Sequence, residues 1–260
     1  MNAPTKKTAL ITGAAQGLGF EIALQLAARG WSIAIADLNE IVGRKAVAEC
    51  ETKGATAFFV RVDLKSADGP EQMVQTTVEH FGKLDVLINC AAYATAEAFI
   101  EMTASAWENT LLINVRAIAL ATAAAGRVMS KQGGGRIINI TSPASRMALP
   151  NYCAYAASKA AVDSLTRASA VALASKNIQV NSVAPGMMDT PMQSKTEALL
   201  ATLEGATDLE AFLAARTARI PLGRRTTCEE VAKSVVWLAA DAPDYITAER
   251  LNISGGLDKD

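Results

Sequence analysis

Tyr155 and Lys159 are four residues apart in the run Tyr155-Ala156-Ala157-Ser158-Lys159, so a helix would carry both side chains on one face. An ammonium beside a phenol favours the phenolate and draws the tyrosine pKa down from about 10 toward working pH. A phenol so tuned can take the proton of an alcohol as a general base. Ser142, thirteen residues earlier at the end of an apolar run, is placed to hydrogen-bond the same oxygen. Asn114 falls within a helical pattern, where asparagine is a mediocre helix former. Each of these also has an ordinary reading by itself, as an amphipathic helix pair or a turn serine.

A second constellation lies upstream. Thr12-Gly13-Ala14-Ala15-Gln16-Gly17-Leu18-Gly19 follows an apolar run and opens a helical pattern. The glycines of this GxxxGxG loop let the backbone turn tightly and approach a pyrophosphate. The helix behind them aims its first amides and its dipole at the phosphates. Asp37 ends the next apolar run, 18 residues after Gly19. A carboxylate there accepts hydrogen bonds from both adenosine ribose hydroxyls and repels a 2′-phosphate. Its followers Leu38, Asn39 and Glu40 bring no cation, so the expected cofactor is NAD rather than NADP. Asp37 would serve equally as an N-cap for the following helix. Asp63-Leu64 either reaches the adenine edge or caps a helix, and the residues alone do not separate the two.

These groups need elements to position them. Short β-branched runs at 8–11, 32–36, 57–62, 86–89, 136–140, 179–183 and 250–253 read as strands. Most are apolar nearly throughout, as in parallel strands covered on both faces. Helical patterns at 19–29, 41–53, 69–81, 106–129, 155–174 and 228–240 alternate with them. Such alternation predicts one α/β domain with right-handed crossovers and an open, doubly wound parallel sheet. Ligands of such sheets bind beyond the carboxyl ends of the strands, where both constellations fall. Residues 1–92 form the cofactor half and 106–192 the catalytic half. The insertion at 193–219, after the sixth strand, is expected to be a substrate lid rather than a plain surface helix pair.

Composition narrows the function classes. The 260 residues carry 25 lysines and arginines against 26 acidic residues, a net charge of −1, which offers no basic patch for nucleic acid or anionic lipid. The only histidine is His80, so a histidine-ligated metal is not expected. Cys50, Cys90, Cys153 and Cys228 form no CxxC pair, which reads as a reduced, cytoplasmic chain. The N-terminal lysines precede an apolar run too short for a signal peptide, and no uninterrupted apolar stretch reaches membrane-spanning length.

Taken together, the motifs at 12–19, Asn114 in LLINV, Ser142, YAASK at 155–159 and Pro185-Gly186-Met187-Met188-Asp189-Thr190 resemble the short-chain dehydrogenase/reductase family from Thr8 to about Gly256. The resemblance implies a Rossmann-type domain with a seven-stranded parallel sheet, assembled as a homotetramer or dimer through the long middle helices and the last strand. It implies Tyr155 as general acid/base. Lys159 would hold the nicotinamide ribose and lower the tyrosine pKa, and Ser142 would steady the substrate oxygen. Asn114 would hold a water in a proton relay through Lys159. Asn89, Cys90, Ala91, Pro185 and Gly186 would line the cofactor, while Thr190 and the backbone near Met188 would bind the carboxamide. Four positions depart from the family pattern: Ala92, Ser145, Ala248 and Ser254 stand where glycine, glycine, glycine and aspartate are usual.

Tyr93, Ser142, Ala144, Ser145, Tyr152, Met187 and Met192 are the expected substrate contacts. Methionines adapt to varied shapes but also simply pack a lid. The expected activity is NAD-dependent interconversion of a small secondary alcohol, a polyol or sugar first, and its ketone. The alternative within the class is a 3-oxoacyl-thioester reductase. The alternative outside it is a non-catalytic NAD-binding or sensing protein.

Overall fold

The computed structural model describes residues 6–258; part of the N-terminal reading above falls on residues 1–5, outside them. Seven parallel strands form one sheet: β1 (Thr8–Thr12), β2 (Ser32–Asp37), β3 (Thr56–Arg61), β4 (Val86–Asn89), β5 (Gly135–Ile140), β6 (Ile178–Pro185) and β7 (Arg250–Ile253), in the order β3-β2-β1-β4-β5-β6-β7. Chain progression reverses between β1 and β4, which opens a crevice at their carboxyl ends.

Both faces of the sheet are covered. On one side pack α1 (Gly17–Ala27), α2 (Glu40–Thr52) and α9 (Cys228–Ala240), through Ile22, Leu26, Ala46, Val231 and Val235. On the other side pack α3 (Gly69–Phe81), α5 (Ala117–Gln132) and α6 (Cys153–Leu173), through Met73, Val74, Ala121, Met129 and Ala170. All five residues of β1 and all four of β4 are buried, which is why these runs read as apolar nearly throughout.

The helical pattern at 106–129 departs from expectation. It is α4 (Ala104–Leu111), a turn of π-helix (Leu112–Arg116) and then α5. Single π-turns are favoured where a side chain must be re-aimed, and this one carries the buried Asn114. The run from Ala104 to Gln132 is long and apolar enough to cross a bilayer by length and composition, but Glu108, Arg116, Arg127 and Lys131 interrupt it. Its buried residues, among them Ala117, Ala121, Ala125 and Met129, face the sheet and α3. The insertion after β6 begins earlier than predicted, as α7 (Pro191–Leu203) and α8 (Leu209–Ala218).

Ala248 adopts the left-handed conformation, with φ of 65°. Its Cβ makes that region costly, whereas glycine enters it freely. Ala248→Gly is therefore expected to stabilise the chain by about 0.5–1 kcal/mol, a rise of a few degrees in Tm measured by thermal unfolding; an unchanged or lower Tm would show that the methyl's packing outweighs the strain.

Candidate active site

The glycine loop sits at the carboxyl end of β1. Gly13 has φ of 66°, and a Cβ on it would lie 2.8 Å from the Ala91 Cα. A Cβ on Gly19 would lie 2.4 Å from the Gly13 carbonyl oxygen. The two glycines thus permit a tight turn between the β1 and β4 loops, leaving the first amides of α1 facing the crevice. The Thr12 hydroxyl accepts from Cys90 N (3.0 Å) and Ala91 N (3.1 Å), locking the two loops together.

At the end of β2, the Asp37 carboxylate accepts from Ala15 N (3.2 Å) in the glycine loop and from Asn39 N (3.0 Å). The N-cap of α2 is Asn39, which accepts from Val42 N, so Asp37 is not spent on capping. Asp63 accepts from Lys65 N (2.9 Å) while Asp68 holds the N-cap position of α3, so Asp63 is no helix cap either. Asp37, Leu38, Asp63 and Leu64 line the crevice together with Gly13, Gln16, Gly17, Leu18 and Gly19. Lys65 lines it too and was missed; a lysine four residues past a strand has no pattern that marks it as facing a ligand.

Cys90 and Ala91 line the crevice, but Asn89 does not. Its amide turns into the core, donating to Asn139 Oδ1 (2.8 Å) and Thr122 Oγ1 (3.4 Å). Asn139 in turn donates to Thr166 Oγ1 at 2.9 Å, so this buried ladder ties β4 and β5 to α5 and α6. A buried amide must be paired, and these partners take Asn89 away from the cofactor side. Burial pushes the Cys90 thiol up to about 12, which leaves it unreactive.

Tyr155 and Lys159 lie on the first turns of α6, both buried and both lining the crevice. The Lys159 ammonium is 5.5 Å from the Tyr155 ring centroid and donates to the Ile140 carbonyl at 2.8 Å. Burial lowers the Lys159 pKa to about 8, although Cys90 and Asp163 pull it the other way. For Tyr155 the expected lowering is reversed. Burial, the largest cause, pushes its pKa up to about 12 despite a hydrogen bond with Ser142 that pulls it down. The phenol is therefore protonated at neutral pH. Tyr152 stacks on Tyr155 with ring centroids 4.5 Å apart.

Asn114 lies behind the site rather than in it. Its Oδ1 accepts from Tyr93 N (2.7 Å), and its Nδ2 donates to the Tyr93 carbonyl (2.8 Å) and Ser158 Oγ (3.0 Å). The side chain is thereby committed to fastening the loop after β4 onto α6. Pro185, Gly186, Met187, Met188 and Thr190 all line the crevice. The Thr190 oxygen accepts from Gln193 N at 3.2 Å as the N-cap of α7, leaving its hydroxyl proton free to donate.

At the substrate end, Ser142, Ala144, Tyr152, Met187 and Met192 line the cavity as expected, with Pro143, Met147 and Leu149. Ser145 and Tyr93 do not. The Ser145 hydroxyl donates to Asp163 Oδ2 at 2.6 Å, within a buried cluster around Arg250, so it adds nothing to the pocket. The Tyr93 backbone is instead paired on both sides with Asn114. Gln193, Arg216, Arg219 and Leu257 line the cavity unforeseen. The two arginines reach it only because α8 folds back over the pocket, a tertiary event with no local signature.

Residues 13–258 match a family profile described as enoyl-(acyl carrier protein) reductase. The chain is 37% identical over 259 residues to a 3-oxoacyl-[acyl-carrier-protein] reductase of Synechocystis sp. (strain ATCC 27184 / PCC 6803 / Kazusa), covering 99% of each. It is 35% identical over 254 residues to a short-chain dehydrogenase/reductase of Armillaria gallica, covering 96% of this chain and 95% of the other. Among solved structures it is similar to an NAD+-bound xylitol dehydrogenase, with a TM-score of 0.93 and 32% identity, covering 98% of this chain and 100% of that one.

Proposed function

Since the chain belongs to the short-chain dehydrogenase/reductase family, an oxidoreductase family that acts on alcohols and ketones with NAD(P), we propose that it interconverts a small secondary alcohol and its ketone with NAD as its preferred cofactor. The observation that carries this reading is the buried Tyr155–Lys159 pair at the floor of the crevice, with Ser142 hydrogen-bonded to the same phenol.

The crevice fits a dinucleotide. The Gly13 and Gly19 cradle has no room for side chains, and the Asp37 carboxylate lines the cleft with lone pairs to spare. The loop at residues 13–19 would hold the pyrophosphate, Asp37 the adenosine ribose, Lys159 the nicotinamide ribose and Thr190 the carboxamide. When bound, the nicotinamide supplies or receives the hydride at its C4. Tyr155 gives a proton to the ketone oxygen in reduction and takes it from the hydroxyl in oxidation. Ser142 donates to the same oxygen and holds it in register. Asn114 positions rather than reacts, by fixing the loop after β4. Helices α7 and α8 form a lid over the substrate end, and Met147, Leu149, Met187 and Met192 keep that end dry.

The support for NAD is Asp37. Its charge meets a ribose diol well and a 2′-phosphate badly. Asp37→Ala is expected to lower the NAD-over-NADP ratio of kcat/KM by about a hundredfold; an unchanged ratio in steady-state assays would remove Asp37 from cofactor choice.

Protonation sets the pH dependence. Oxidation needs the phenolate, whose fraction grows tenfold per pH unit below the tyrosine pKa, and that pKa is pushed up to about 12. Oxidative kcat/KM is therefore expected to climb from about pH 7 to about pH 8, where Lys159 is still charged, while reduction, served by the neutral phenol, stays level. A plateau in oxidation within that window would show a base other than this phenol.

The similarity to a 3-oxoacyl-[acyl-carrier-protein] reductase supports a second reading, reduction of a 3-oxoacyl thioester. Turnover of a 3-oxoacyl thioester with NADPH, faster than that of any polyol or sugar with NAD, would favour it over the first.

A further inference from the structure

Among the described residues, the substrate end of the crevice is lined by Arg216 and Arg219 and by no carboxylate; the two carboxylates in the lining, Asp37 and Asp63, are at the adenosine end. Arg216 is held in place. Its Nε lies 3.3 Å from Glu197 Oε1, and its guanidinium sits over the Phe212 ring at 5.6 Å. Glu197 is itself only 2% exposed, and both its oxygens are taken by Arg225, at 2.9 and 3.1 Å. Two guanidiniums thus share one buried carboxylate, and the terminal nitrogens of Arg216 remain available. Arg219, one turn further on, has no side-chain partner among the described residues. The cavity wall between these cations and the reacting phenol is Tyr152, whose ring stacks on Tyr155 and which feels the Arg216 charge.

Resting on the dehydrogenase reading above, we propose that Arg216, assisted by Arg219, is an anion subsite and that the substrate is a hydroxy acid or its oxo acid, with its carboxylate at Arg216 and its carbinol carbon beside Tyr155 and Ser142. A planar guanidinium pinned by its Nε presents its two terminal nitrogens as a fork that matches a carboxylate. Because Glu197 and Phe212 fix the fork in advance, little side-chain entropy is lost on binding. The apolar walls from Met147, Leu149, Met187 and Met192 suit a hydrocarbon body between the two polar ends and exclude water from the charge pair.

The test is calorimetric titration of the NADH-loaded enzyme with benzoate and hexanoate against benzamide and hexanamide. The carboxylates are expected to bind roughly tenfold or more tightly than their amides. Arg216→Gln abolishes the preference, Arg216→Lys keeps part of it by retaining charge without the fork, and Arg219→Gln weakens it. Arg219 is exposed and has no side-chain hydrogen bond or ion pair among the described residues, so its variant reports binding even if the Arg216 variants fold poorly. Equal binding of acid and amide, binding of neither, or a preference that survives both glutamine variants overturns the subsite. Inorganic phosphate titrated in the same way is expected to bind more weakly than benzoate, and tighter binding would overturn the carboxylate assignment. The outcomes separate from those of the parent reading: carboxylate preference without alcohol oxidation keeps the subsite and sinks the dehydrogenase, and oxidation of neutral alcohols without the preference does the reverse.

Discussion

Tyr155→Phe is expected to lower turnover by about 10²–10⁴-fold in both directions while leaving NAD binding within about twofold of the parent. The substitution keeps the ring that stacks on Tyr152 and removes only the hydroxyl that moves the proton and pairs with Ser142. Ser142 cannot replace it, because a serine hydroxyl is itself an aliphatic alcohol and ionises far less readily than a phenol, so it cannot take the proton of another alcohol near neutral pH. The check is steady-state kinetics beside NADH fluorescence titration. Turnover retained within tenfold would place the acid/base group elsewhere, and lost turnover with lost NAD binding would mean that the ring position had collapsed.

The second large effect has opposite signs on activity and stability. Lys159→Met is expected to cut turnover by about 10²–10⁴-fold, because the cation beside the phenol and the ribose is gone. The same change is expected to stabilise the unliganded chain. Lys159 is 1% exposed, and burial lowers its pKa from 10.5 to about 8. That shift corresponds to about 3 kcal/mol of penalty for keeping the charge inside. The hydrogen bond lost is charge-assisted and its loss leaves the Ile140 carbonyl unpaired, a cost of about 1.5–3 kcal/mol, so a net gain of up to about 1.5 kcal/mol remains. The folded-state pKa lies below the unfolded one, so the wild type carries the full penalty below about pH 8 and sheds it as pH rises toward 10.5. The Tm advantage of the variant should therefore be largest near neutral pH and shrink at alkaline pH. An equal or lower Tm at neutral pH would show that the hydrogen bond outweighs desolvation.

These two residues mark how far the sequence could be read. The pair at Tyr155 and Lys159 was legible because helical spacing is local, and the strands were legible because burial on both faces leaves uninterrupted apolar runs such as Val86–Ile88. The sense of the Tyr155 pKa shift was not legible. Spacing shows that a lysine is near, but only the packed fold shows that burial sets the shift and that the opposing pull comes from Ser142. Asn114 looked like a poor helix residue; the π-turn that accommodates it is set by Tyr93, 21 residues away. Asn89 and Ser145 looked as though they faced ligands, yet each is claimed by a distant buried partner, Asn139 and Asp163. Arg216 and Arg219 gave no local sign at all, since they reach the pocket only when α8 closes over it.

The reaction proposed is hydride transfer at a carbinol carbon governed by one phenol. The most direct test follows NADH appearance at alkaline pH with NAD+ and a panel of polyols, sugars, hydroxy acids and apolar secondary alcohols, for the parent chain and Tyr155→Phe side by side. The account predicts NADH formation with at least one secondary alcohol in the parent, little of it with NADP+, and almost none in the variant. NADH formation that persists undiminished in Tyr155→Phe, or a parent that binds NAD+ yet oxidises no alcohol and reduces no ketone, would contradict it.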